Sequence, residues 1–177
     1  MPVRGLGPGT LECIFLIDSA GAPPRAVERA EAVAGRGLRG DRYAAGLGVW
    51  IRIEPCQVTL IETEALEAMT AALGVAVADG EHRRNLVTRG VDLAAFGGRH
   101  FRVGGVRLGF DRHRPSCAYL ASLTERRLPK ALTRYGCGIG VRVLEGGPLR
   151  VGDAIEDLGP DPDLWSMDFE RFRRAFG

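Results

Sequence analysis

Phe101-Arg102-Val103-Gly104-Gly105-Val106-Arg107-Leu108 reads as an apolar strand, a Gly-Gly turn and a second strand. Leu149-Arg150-Val151-Gly152-Asp153-Ala154-Ile155 echoes it, with Gly-Asp at the turn. Two copies do not make a repeat array. Working outward, residues 10–17, 57–61 and 140–145 are apolar runs of strand length. Residues 25–34 alternate loosely and suit either a strand or a helical turn. Helices are few. Leu66, Met69 and Leu73 recur at helical spacing after Thr63, a candidate cap, and Gly74 is a natural stop. Leu128, Leu132 and Tyr135 form the buried face of another, with Pro129 in its first turn and Gly136 at its end. The fold class expected is mainly β with a few helices (α+β), as a small barrel or sandwich.

The 177 residues suit one domain, and the 45% hydrophobic and 26% charged fractions are those of a globular chain. No apolar run approaches the roughly 20 residues that span a bilayer, and residues 1–10 lack a signal-peptide pattern. A cytoplasmic protein with reduced cysteines and no membrane partner is expected. The net charge of +2 is too small to argue for nucleic acid, and the basic side is almost wholly arginine, with Lys130 the only lysine. We divide the chain into a domain over residues 1–157 and a tail over 158–177. In the tail Trp165, Phe169, Phe172 and Phe176 form an aromatic helical stripe opposed by Arg171, Arg173 and Arg174. Such a helix packs on the body or on a second subunit in a homodimer.

Residues 35–48 are glycine-rich, and Gly35, Gly37 and Gly40 formally fit a dinucleotide fingerprint. That motif must open a helix, whereas Asp41-Arg42-Tyr43 leads only to more glycine, so the reading is rejected. What remains is a loop whose glycines supply positive φ or approach a ligand.

Two stretches carry candidate chemistry. Asp111-Arg112-His113-Arg114-Pro115-Ser116-Cys117 brings a thiol close to cationic side chains, which favour its reactive, metal-binding thiolate form. Cys13, Cys56 and Cys137 have no C-x-x-C or close histidine partner, so structural zinc is not expected. His82-Arg83-Arg84-Asn85-Leu86-Val87-Thr88-Arg89 interleaves charge with apolar residues. It suits either an anion site built from Arg83 or Arg84 with Asn85, Thr88 and Arg89, or a solvated edge strand.

Four blocks then occur in an order that resembles one family. They are Gly37-Leu38-Arg39-Gly40-Asp41-Arg42-Tyr43, Gln57-Val58-Thr59-Leu60-Ile61-Glu62, Arg84-Asn85-Leu86-Val87-Thr88-Arg89-Gly90-Val91-Asp92-Leu93 and Leu149-Arg150-Val151-Gly152-Asp153. Together, over about residues 10–157, they look like the MOSC domain, named for the C-terminal part of molybdenum cofactor sulfurases. The resemblance implies a β-barrel of pyruvate-kinase type with its functional cysteine at Cys117. That thiol would ligate molybdenum in a pterin cofactor, in sulfur transfer or the reduction of N-hydroxylated compounds. Alternatively, it would carry sulfane sulfur without metal. The Arg-Asn-x-x-Thr-Arg block would hold the cofactor, with Asp41 and Arg42 at the rim and His113 tuning the site. Implied partners are a pyridoxal-phosphate cysteine desulfurase or an electron-donor protein. A third reading is a barrel that binds a phosphorylated ligand without chemistry. One departure stands out: Ser116 separates Pro115 from Cys117, where family members commonly have proline directly before the cysteine.

Overall fold

The computed structural model describes residues 7–49 and 56–163. The expected tail helix, with Trp165, Phe169, Phe172 and Phe176, lies outside the described residues. The strands are β1 (Gly9–Leu16), β2 (Arg25–Val27), β3 (Arg29–Val33), β4 (Gly37–Leu38), β5 (Val58–Glu62), β6 (Leu86–Arg89), β7 (Arg99–Val103), β8 (Val106–His113), β9 (Ile139–Glu145), β10 (Gly147–Arg150) and β11 (Ala154–Pro160). Helix α1 (Thr63–Leu73) joins β5 to β6, and α2 (Ala118–Leu123) and α3 (Leu128–Tyr135) lie between β8 and β9.

Seven strands close into a barrel in the order β11-β7-β8-β9-β5-β6-β1, with β1 returning to β11 through Gly9↔Ile155 and Thr10↔Ala154. The barrel is mixed: β5 and β6 run parallel, as a crossover helix between neighbouring strands requires, and the other contacts are antiparallel. Closure leaves no exposed edge among these strands. β2 hangs on β1, and β10, β3 and β4 form a small second sheet.

Two apolar layers follow from the pleat. Leu11, Ile14, Leu60, Leu86, Phe101, Leu108 and Val141 fill the barrel interior. Phe15, Ile61, Met69, Val87, Leu128 and Leu132 form a second cluster outside the wall, under α1 and α3. β5 is therefore covered on both faces, which explains its unbroken apolar run: Leu60 points inward and Ile61 outward.

The hairpin at Gly104-Gly105 forms as expected, pairing Val103 with Val106. The second does not. β10 pairs with β3 and β11 with β7, so the Gly152-Asp153 turn carries the chain from one sheet to the other. Asp153 holds that corner by accepting from Arg150 N–H at 2.8 Å. Residues 25–34 form two short strands rather than a helical turn. Thr63 begins α1 but does not cap it; its hydroxyl donates instead to Glu12 at 2.6 Å.

At two glycines a positive φ coincides with close approach of another stretch of backbone. A Cβ on Gly37 (φ 126°) would sit 2.4 Å from the Gln57 carbonyl oxygen, and one on Gly138 (φ 78°) 1.9 Å from that of Leu60. The second matters more here, because Gly138 O accepts from Arg114 N–H at 3.0 Å and Cys137 O accepts from Arg84 Nε at 2.9 Å. Gly138→Ala adds strain and overlap together, so we expect a loss of about 3 kcal/mol in urea unfolding. Gly74→Ala, also at positive φ but with open space around it, should lose only ~1 kcal/mol.

Candidate functional site

At one end of the barrel the chain from His82 to Asn85 turns before entering β6. Arg83 N–H bonds Gly80 O at 2.7 Å, and among the described residues Arg83 is the non-glycine residue with positive φ, 59°. Such a conformation in a non-glycine residue persists only where its surroundings hold it. They do so through a buried polar network. Asn85 Nδ2 donates to Asp41 Oδ2 at 2.9 Å and to Phe15 O at 3.1 Å, while its Oδ1 accepts from Thr59 N–H and Oγ1. The Asp41 carboxylate also accepts from Ile17 N–H, Tyr43 N–H and Arg42 Nη1. Asp41, Arg42, Thr59 and Asn85 are buried, and together these bonds meet the demand that a buried charge be paired and bonded.

Around this network a narrow cleft of about 40 Å³ is lined by Arg42, Tyr43, Val49, Arg83, Arg84, Arg114, Pro115, Cys117, Tyr119 and Leu120. That volume exceeds the ~10–15 Å³ one water needs and suits a compact head group. Arg42 lies 4.2 Å from the centroid of the Tyr43 ring. Arg84 donates Nε to Cys137 O and Nη2 to Arg114 O. Arg83 donates Nη1 to Ala22 O at 2.9 Å. Its Nη2 and the Tyr119 hydroxyl are buried without a hydrogen-bond partner among the described residues. Burial holds the Arg84 guanidinium below the usual arginine range and nearby Arg114 adds to the effect; burial and then Arg42 do the same for Arg83. The cleft thus concentrates cations and presents unspent donors, and an anion relieves both.

Cys117 sits at its wall, half-buried, one flank packed on the outer apolar cluster. It caps α2, where Sγ accepts from Leu120 N–H at 3.5 Å. Ser116 turns aside to Thr133, Oγ to Oγ1 at 2.8 Å, while Pro115 and Cys117 on either side of it line the cleft.

Of the residues singled out in the sequence, Arg42, Arg83, Arg84 and Cys117 line this cleft, and Asp41 lies behind it, bonded to Arg42. The rest of the arginine block is distributed along the strand. Asn85 meets the cleft only through Asp41. Thr88 is buried and bonds Ile61 O at 3.4 Å. Arg89 pairs with Glu12 and Glu67 and does not line the cleft. The reason is extension: from Arg84 to Arg89 a strand advances about 16 Å. His113 faces Phe110, ring centroids 5.4 Å apart, and lines a neighbouring cleft with Cys137. Arg114 and Tyr119 join the lining, and only Arg114 was flagged by the motif around Cys117. A wider apolar groove of about 500 Å³ lies against α1, where Glu12 and Glu67 are already engaged by Arg89.

A family model for the MOSC domain matches residues 51–156. The chain belongs to the MOSC domain family. The MOSC barrel is shared with solved structures of low identity. YuaD from Bacillus subtilis is 17% identical, with a TM-score of 0.69 over 84% of this chain and 94% of that one. YiiM from Geobacillus stearothermophilus is 16% identical, with a TM-score of 0.62 over 85% and 75% of the two chains. YiiM from Escherichia coli is 16% identical, with a TM-score of 0.59 over 84% and 69%. No curated protein sequence matches. No helix among the described residues is long and apolar enough to cross a membrane.

His82 buttresses this MOSC site from behind. Its Nδ1 accepts from Arg84 N–H at 3.0 Å and its ring meets Phe15 edge-on. Burial, and then the Arg84 charge, push its pKa down from 6.5 to about 3. The unfolded chain therefore takes up a proton that the folded ring refuses, and stability is lost as pH falls from 6.5 towards 3. Urea unfolding should show roughly 2 kcal/mol of this loss by pH 5. His82→Asn, which keeps an acceptor but cannot titrate, should flatten that dependence; an equally steep curve in the variant would refute the assignment.

Proposed function

We propose that this MOSC protein binds a molybdenum-pterin cofactor by its phosphate end at the cationic cleft, with Cys117 as the protein's sulfur ligand, and acts in sulfur transfer or in reduction of N-hydroxylated compounds. The observation that carries the reading is that Cys117, Arg83 and Tyr119 line one cleft, with Arg83 Nη2 and the Tyr119 hydroxyl lacking a hydrogen-bond partner among the described residues. The donor set fits an anionic head group, and a soft thiolate suits molybdenum. Among the described residues no group of three or more His, Cys, Asp or Glu side chains could hold a metal ion, so one at Cys117 would need its remaining ligands from a cofactor.

In this reading Arg42, Arg83 and Arg84, with Arg114 and Tyr119, bind and orient the phosphate end. Asn85 and Asp41 are positioning residues that hold the arginines. Thr88 and Arg89 support the strand that carries them. The bound cofactor would supply two-electron redox or sulfur chemistry, and the protein ligation, orientation and charge compensation. An electron-donor protein or a cysteine desulfurase would be the partner.

The small volume of the cleft favours a second reading, a metal-free carrier that holds a persulfide on Cys117 after delivery from a pyridoxal-phosphate desulfurase. Molybdenum content after purification from a cofactor-producing host separates them. The first predicts near-stoichiometric metal in the wild type and at least a tenfold loss in Cys117→Ser. Absence of metal from the wild type, with a sulfur-sized mass gain on Cys117 after desulfurase treatment, would replace it with the second.

A further inference from the structure

We infer that the cleft also accepts sulfur directly from a small sulfur oxyanion of the thiosulfate class, without a protein donor. The inference rests on the reading of Cys117 as the reactive sulfur and adds the chemical identity of what it meets.

The volume is the first argument. About 40 Å³ suits a tetrahedral oxyanion and is far below the roughly 300–1,000 Å³ of drug-sized ligand sites. The donors are the second. Arg83 is only 7% exposed, yet one of its guanidinium nitrogens has no partner among the described residues, and the same holds for the Tyr119 hydroxyl. Leaving such groups buried and unpaired is costly, most of all for a charged one. Both side chains line the cleft with Arg42, Arg84, Arg114 and the thiol. A dianion bound in this cleft would therefore share it with the Cys117 thiol. The third argument is that the step closes on itself. Cys117 sulfur attacks the outer sulfur of thiosulfate; a sulfur–sulfur bond forms on the protein as the one in thiosulfate breaks, and the electron pair leaves with sulfite. Cys117–SH and thiosulfate thus give Cys117–SSH and sulfite, with no outside oxidant or reductant. The arginines that bound the substrate stabilise the charge on the departing sulfite.

The full chain is incubated with sodium thiosulfate, freed of excess, and assayed for intact mass and released sulfite. We expect a mass gain of one sulfur atom, mapped to Cys117, with sulfite in equal amount and neither in Cys117→Ser. Tyr119→Phe, which keeps the ring and loses the hydroxyl, should raise the thiosulfate concentration for half-modification about tenfold, and Arg83→Met about ten- to a hundredfold. No sulfite from the wild type, or modification indifferent to both variants, would overturn the inference. A parallel sample offered cysteine and a cysteine desulfurase separates the two claims. Sulfur gained there but not from thiosulfate removes the oxyanion donor and leaves the reactive Cys117 standing; gain from neither removes both the donor and the carrier.

Discussion

The hydrogen bond from Asn85 Nδ2 to Asp41 Oδ2, 2.9 Å long and wholly buried, is the constraint on which the site depends. Asn85 stands where the chain enters β6, and Asp41 in the glycine-rich loop after β4. Asn85 also bonds Phe15 of β1 and Thr59 of β5, and Asp41 accepts from Ile17, the residue after β1. One network therefore fixes three stretches of barrel wall to the loop that carries Arg42 and the turn that carries Arg83 and Arg84. Every polar atom of the Asn85 side chain is engaged inside the protein, so it can act on a ligand only by holding other residues. Losing one partner would leave a buried carboxylate or amide short of bonds, at a cost of several kcal/mol.

With that frame fixed, the electrostatics become asymmetric. Arg42 shares Asp41, but Arg83 and Arg84 rest on carbonyl oxygens, which orient a guanidinium without cancelling its charge. Arg89, in the same sequence block, is answered by two carboxylates and has no charge left to offer a ligand. Preorganised, incompletely neutralised donors are what an anion site requires. The same frame sets the thiol: Gly138 passes against Leu60, its carbonyl receives Arg114 N–H, and the chain runs from there through Pro115 to Cys117.

Much of the barrel was legible. β1, β5, β9 and α3 follow from apolar runs, glycine stops and helical spacing, because burial on one or both faces writes itself into residue type. The Gly152-Asp153 turn was misread, since a corner between two sheets and a hairpin ask for the same turn residues. The cleft was legible in part. Arg42, Arg83, Arg84 and Cys117, singled out by three separate stretches of sequence, line one cleft, but Thr88 and Arg89 are carried away by strand extension, which proximity in sequence conceals. Tyr119 left no signal: a tyrosine two residues into a helix is ordinary until its hydroxyl is seen to lack a partner. The size of the cleft was equally invisible, because it depends on side chains from four separate stretches of chain.

The account makes the Asp41–Asn85 frame present a cationic, thiol-walled oxyanion site. Diffraction from crystals grown with tungstate, a heavy tetrahedral oxyanion, tests this most directly through its anomalous signal. The account predicts a peak between Arg83 Nη2 and the Tyr119 hydroxyl, beside Cys117 Sγ. A peak only at Arg89 or in the groove against α1, with the cleft empty, would contradict it.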